Sequence, residues 1–231
     1  RADHEPGLRK EWELQRRHGF EVEWWSRAQI ARLSTLPYRS ALLARSAAQI
    51  DAHRLTHSLL RGAETQGARV FDRTRVTRRT STRHGVTLRT DRGLTIRARH
   101  LVIAAGYETA PYLADALTKL VVTFALVTEP RAGFPGWPGR RLIWETARPY
   151  VYLRHTDDGR AIIGGYDEPT CDPTRRTALL PHKTALLKRR FHQLLPNAPC
   201  EVAYSWAGTF AETPDGLPYI GAHPRVPHTL F

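Results

Sequence analysis

The run Leu101-Val102-Ile103-Ala104-Ala105-Gly106 constrains this chain more than any other segment. A continuous apolar run predicts a strand buried on both faces, as in a parallel sheet. Its small C-terminal residues let a ligand approach the backbone. In open α/β sheets, ligands sit at that end of the strands. The segment before it has a different period. Asp51 predicts an N-cap, Leu55, Leu59 and Ala63 recur at spacing four, and Gly67 stands where a helix ends. After Gly67 the period becomes two. Ala68-Arg69-Val70-Phe71 predicts a short strand. Thr74 to Thr80, Val86 to Arg89 and Leu94 to Arg97 then predict a three-stranded antiparallel meander, with turns at His84-Gly85 and Asp91-Arg92-Gly93. Its apolar residues face one way and its arginines face water.

Residues 5 to 20 read as a helix, and Ser26 with Gln29 forms a capping-box pattern that starts a second one. Val121 to Glu129 predicts a strand, and Gly133 to Gly139 a loop. Tyr150 to Arg154 and Ala161 to Gly165 flank an Asp157-Asp158-Gly159 turn and predict a hairpin. Pro181 to Leu195 reads as a helix, and Cys200 to Phe210 as a strand. Together these elements predict an α/β chain of mixed α+β character.

Composition excludes several classes. Apolar residues are 41% and charged residues 25% of the 231, ordinary for a globular chain. No run of eighteen apolar residues is present, so no membrane span is expected. The two cysteines, Cys171 and Cys200, are too few for a disulfide framework and lack metal-ligand spacing. A reducing, cytoplasmic setting is the default expectation. The net charge is +13. Of 35 basic residues only four are Lys (Lys10, Lys119, Lys183, Lys188), leaving 31 Arg. Nucleic-acid binders commonly use both, so no nucleic-acid partner is expected. The densest stretch, Arg61 to Arg99, carries eleven Arg and reads as a solvated face.

Most familiar catalytic patterns are missing: no Gly-x-Ser-x-Gly elbow, no phosphate loop, no His-Glu-x-x-His. His53 and His57 are four apart on a helix without a third ligand nearby, so no metal site is expected. No catalytic acid or base is assigned. What stands out is Trp206-Ala207-Gly208-Thr209-Phe210 running into Thr213-Pro214-Asp215-Gly216-Leu217-Pro218-Tyr219-Ile220-Gly221. Pro and Gly at these spacings predict a long rigid turn after a strand.

That motif resembles the Trp-x-Gly, Thr-Pro-Asp-Gly-x-Pro, Ile-Gly signature of the glycine oxidase / D-amino-acid oxidase (DAO) family of FAD-dependent oxidoreductases. The helix from Asp51, the following Gly67-to-Val76 segment and Leu101 to Gly106 resemble the same family in the same order. The resemblance covers nearly the whole chain. It implies part of an FAD-binding, Rossmann-like domain interleaved with a mixed-sheet substrate domain. The implied divisions are 1–50 (helical part of the substrate domain), 51–110 (FAD-domain segment with the meander), 111–205 (substrate-domain sheet and helix) and 206–231 (FAD-domain return). It implies FAD as cofactor, beside Val76, Ala104, Ala105, Gly106, Gly208, Asp215 and Gly221. It implies Tyr150, Tyr152 and Phe210 toward a small-molecule amine or amino-acid-like substrate, dehydrogenated by hydride transfer to FAD. Oligomeric state stays unassigned.

Two departures accompany the resemblance. Amino-acid oxidases of the family carry an Arg, two residues after the motif's glycine, that pairs with the substrate carboxylate. Phe210 stands there, which suits an amine or a substrate whose acid group is held elsewhere. The family's opening Gly-x-Gly-x-x-Gly turn and its Gly-rich closing segment are also not found. With no methionine and Arg1 at its start, the chain is expected to be the middle of a longer enzyme. Two alternatives stay open: a non-catalytic basic module with an acidic partner, and an inactive flavoprotein remnant.

Overall fold

A computed structural model describes residues 4–107, 109, 118–170 and 172–231. Glu108, Cys171 and the division expected at 110–111 lie outside these residues. In chain order the elements are α1 (Glu5–Arg17), β1 (Val22–Ser26), α2 (Arg27–Leu33), β2 (Ser40–Ala44), α3 (Ala52–Thr65), β3 (Val76–Thr82), β4 (Gly85–Thr90), β5 (Thr95–Ala98), β6 (Leu101–Val102), β7 (Lys119–Thr128), β8 (Ile143–Trp144), β9 (Val151–His155), β10 (Ala161–Glu168), α4 (Pro173–Leu194), β11 (Val202–Glu212) and β12 (Thr229–Leu230). This is the mixed α/β class expected. The elements form two units, each built from two chain segments. Unit 1 is Arg1–Gln49 with Leu120–Ala211, and unit 2 is Ile50–Lys119 with Glu212–Phe231.

Unit 1 is built on a five-stranded sheet in the order β11-β7-β10-β9-β8. The β7–β10, β10–β9 and β9–β8 pairs are antiparallel. Alternation decides its faces. Val122, Phe124 and Leu126 of β7 and Val151 and Leu153 of β9 are fully or almost fully buried in one cluster. Leu187, Phe191 and Leu194 of α4 cover that face, with Phe134 and Trp137 from the loop after β7. The loop is fixed from outside as well. Thr35 donates its amide to the Gly136 carbonyl at 3.1 Å and its hydroxyl to the Leu194 carbonyl at 3.1 Å. A Cβ on Gly136 would stand 2.2 Å from Thr35 Oγ1, and φ is +83° there, so only glycine fits.

Among the described residues of this unit, Glu145 and Lys183 are buried. Glu145 accepts from the Tyr38 hydroxyl at 2.7 Å and the Val151 amide at 3.2 Å, and it pairs with Arg190 of α4. Burial first, then the Glu145 carboxylate, pushes the Tyr38 phenol far above its ordinary value, so it stays a neutral donor. Lys183 lies on the buried stripe of α4. Its ammonium donates to the Tyr166 carbonyl at 2.8 Å and to Glu168 Oε1 at 2.6 Å. The register of β10 shifts between Gly165 and Glu168, and Tyr166 has φ +55°. Lys183 therefore holds a bulge in β10.

His155 ends β9 on the core face. Its ring lies 4.0 Å from the Trp137 ring and 5.2 Å from the Phe134 ring, centroid to centroid. Burial, then the nearby Arg140 charge, lowers its pKa below the ordinary 6.5. The unfolded chain thus binds a proton more readily than the folded one. Stability is full above the unfolded value and falls as pH drops through it toward the folded one. Urea midpoints read by Trp fluorescence should decline from about pH 7 to about pH 5, and His155→Phe should flatten that decline.

Unit 2 holds α3, the β3-β4-β5 meander and a two-stranded parallel pair of β6 with β12. Asp51 caps α3 by accepting from the Arg54 amide at 3.0 Å, and Gly67 has φ +92°. Val86, Leu88 and Thr90 of β4 face inward and are buried. Arg79 of β3 reaches Thr229 of β12 at 3.1 Å.

The structure corrects several expectations. Ala68–Phe71 is not a strand, and Phe71 is 67% exposed, because no strand among the described residues offers it a ladder. Only Leu101 and Val102 of the apolar run pair, with β12, and Val102 is 64% exposed. The run is therefore not buried on both faces within the described residues. Helix α4 begins at Pro173, with Asp172 capping the Thr174 amide at 2.9 Å, and passes through Pro181. The β1–β2 pair was not foreseen. Among the described residues no helix is long and apolar enough to cross a membrane.

Candidate functional site

The expected cofactor residues fall mostly in unit 2. Val76 opens β3 and is exposed. Ala104, Ala105 and Gly106 follow β6, past the Ile103 amide that donates to the Leu230 carbonyl at 2.8 Å. All three are exposed. Gly106 has φ +58°, and a Cβ there would meet nothing within 4 Å. Exposed small residues beyond a parallel strand leave backbone amides open to an anion. That donor set fits the pyrophosphate or ribose of a dinucleotide.

The Thr213–Gly221 turn is internally closed. Asp215 Oδ1 accepts from the Leu217 amide at 3.1 Å, and Thr213 Oγ1 donates to the Leu217 carbonyl at 2.9 Å. Gly221 exchanges backbone hydrogen bonds with Phe231 at 3.0 and 2.9 Å. Gly216 and Gly221 have open space where a side chain would stand. Gly208, by contrast, lies on β11 in unit 1.

The expected substrate residues belong to unit 1. Tyr152 lies on β9 opposite Gly164 and Trp144. Its neighbours Val151 and Leu153 face the core, so Tyr152 stands on the other face. A Cβ on Gly164 would be 2.2 Å from the Tyr152 hydroxyl and 2.3 Å from its ring. Gly164 is thus the seat of that ring. Tyr150 precedes β9, its ring 6.3 Å from Trp144 and 4.7 Å below the Arg148 guanidinium. The structure brings Tyr150 and Tyr152 together. Phe210 lies in β11, three strands from β9 in the same sheet, so it is not their neighbour.

A third side chain joins the two tyrosines. Asp167, in the β10 bulge, stands against the Tyr150 phenol. Burial, then this carboxylate, pushes Tyr150 up to about 12. Burial and Asp167 also raise Tyr152, while the neighbouring Thr123 hydroxyl and Arg154 oppose the shift. Both phenols are neutral donors at physiological pH. Sequence reading missed Asp167; its only local signal is an acidic residue two positions after the paired Gly164-Gly165.

Gly164→Ala should displace the Tyr152 ring at a folding cost of about 1–3 kcal/mol, typical of overpacking. Ring shifts of Tyr152 in an NMR spectrum, beside a modest change in melting temperature, check this. Unchanged Tyr152 resonances would contradict it.

Other groups are less suited to chemistry. Cys200 is buried, and burial pushes its thiol up to about 11, so it is not a ready nucleophile. His53 and His57 meet at 3.2 Å between Nε2 atoms, but no metal-holding group of three or more His, Cys, Asp or Glu occurs among the described residues. An open hollow of about 550 Å³, lined by Gly133, Phe134, Trp137, Arg140 and His155 among others, includes none of the expected site residues.

The chain is similar over its full length to a glycine oxidase from Geobacillus kaustophilus, with a TM-score of 0.81, 22% identity and 62% of that chain covered. It is similar to L-proline dehydrogenase from P. horikoshii, with a TM-score of 0.81, 19% identity, all of this chain and 63% of that one covered. An iminodiacetate oxidase from Chelativorans sp. BNC1 matches with a TM-score of 0.71 and 18% identity, covering 90% of this chain and 56% of that one. These likenesses establish the fold, and the chain spans about three fifths of the matched lengths. No curated protein matches the sequence. A family model described as DAO, FAD dependent oxidoreductase, matches residues 1–231, and the chain belongs to that family.

Proposed function

We propose that this chain acts in a flavin-dependent oxidoreductase that dehydrogenates an amine or amino-acid-like substrate. The observation that carries the reading is the open backbone after β6, joined in one chain to a sheet face bearing two neutral tyrosines. Residues 104–106 would hold FAD through backbone amides, with Val76 and the Asp215–Gly221 turn contributing from the same unit. When bound, FAD supplies the acceptor for a hydride from the carbon bearing nitrogen, whose lone pair closes the C=N bond while the proton leaves to solvent. Tyr150 and Tyr152 would orient the substrate by donating hydrogen bonds. Phe210 offers no carboxylate pairing, so an acid group of the substrate would not be held there.

This division of labour asks no general acid or base of the chain. Expressed from its whole reading frame, the protein should hold FAD, and its visible flavin bands should bleach when an amine is added without oxygen. A flavin that no amine or amino acid bleaches would overturn the reading.

A further inference from the structure

We propose that Asp167 recognises a cationic nitrogen of the substrate, so that the tyrosine face of unit 1 takes a molecule carrying a second basic nitrogen besides the one oxidised. This rests on the proposed function and deepens it. Three observations support the placement. The Asp167 carboxylate accepts from the Tyr150 phenol, yet its Oδ1 is buried and is left without a hydrogen-bond partner. A buried polar atom left unpaired is destabilising, more so if charged, unless a ligand satisfies it. No Lys, Arg or His forms an ion pair with Asp167 among the described residues. Finally, the carboxylate is aimed deliberately. The β10 bulge breaks the strand's alternation at Asp167, and Lys183 fixes that bulge through Tyr166 and Glu168. Bulges re-aim side chains beside functional sites.

The surroundings suit an ammonium group. Tyr150 and Tyr152 present aromatic rings, which attract cations on their faces. Two positive groups also face this region: Arg148, stacked on Tyr150, and Arg154, two residues beyond Tyr152. They limit the cation to the Asp167 end of the face.

Recognition and oxidation fall to different nitrogens for a chemical reason. A carboxylate contact favours the protonated amine. A protonated nitrogen has no lone pair to form C=N as hydride leaves. The nitrogen held by Asp167 is therefore not the one oxidised. A diamine, or an amine with a basic side group, meets both needs. Phe210, where an arginine would hold a carboxylate, is consistent with that class.

The test is calorimetric titration of the full chain with 1,4-diaminobutane and, separately, n-butyrate. The diamine should bind and butyrate should not. Asp167→Asn, which preserves shape and the contact with Tyr150, should weaken diamine binding roughly tenfold or more. Butyrate binding as tightly as the diamine would overturn the proposal, as would undiminished binding by a folded Asp167→Asn protein. If that variant does not fold, the wild-type comparison of the two probes decides. The visible spectrum of the same preparation reads flavin retention independently. Retained flavin without diamine binding overturns the Asp167 assignment alone. Diamine binding to a flavin-free protein supports it and counts only against the wider reading.

Discussion

Replacing Phe191 with alanine should lower the stability of unit 1 by about 3–5 kcal/mol. Phe191 has no exposed surface, and its ring meets the Phe134 ring edge-on, 6.0 Å between centroids. It sits mid-stripe on α4, between Leu187 and Leu194, where the helix covers the sheet. Truncation would leave a void lined by close-packed side chains that can collapse only in part. All six tryptophans (Trp12, Trp24, Trp25, Trp137, Trp144 and Trp206) lie in unit 1. Urea unfolding followed by Trp fluorescence therefore reports this unit. A loss below about 1 kcal/mol would mean that α4 does not anchor the core as described.

Glu145→Ala should have an effect of similar size, about 3 kcal/mol. The Glu145 side chain is 4% exposed and serves three partners: the Tyr38 hydroxyl, the Val151 amide and the Arg190 guanidinium. Removing it strands a buried phenol and a guanidinium that is 25% exposed. Water reaching Arg190 keeps the loss toward the lower end of the range for a broken buried pair. Glu145→Gln keeps hydrogen-bonding capacity and should lose less. The contrast is the Arg45–Glu23 pair, with side chains 61% and 41% exposed, where Arg45→Ala should cost under about 1 kcal/mol. The same fluorescence-monitored titration distinguishes them. Equal losses at Glu145 and Arg45 would contradict the burial argument.

Local signals were readable where a single residue decides the backbone. Asp51 and Gly67 bound α3, Ser26 with Gln29 closes a capping box on α2, and Gly159 at φ +81° turns the β9–β10 hairpin. Long-range causes were not readable. Pro181 looked like a helix start, because proline removes a helical donor. Yet the turns before it persist, with Leu179 and Leu180 packed on the core. The apolar run at Leu101 looked like a central strand, but burial depends on neighbours, and its partner in the described residues is β12. Asp167 shows the same limit at the candidate site. Its position depends on Lys183, sixteen residues later, bonding across a bulge that no local pattern announces. Tyr150 and Tyr152 were found through resemblance to a family, and the seat of Tyr152 on Gly164 became visible only in the paired strands.

The most direct test of the central claim is the visible absorbance spectrum of the protein expressed from its whole reading frame, incubated with FAD and desalted. The account predicts retained flavin bands, and their loss when aspartate at Ala105 sets a negative charge against the cofactor's phosphates. A colourless yet folded protein would contradict it, and so would flavin bands indifferent to Ala105→Asp.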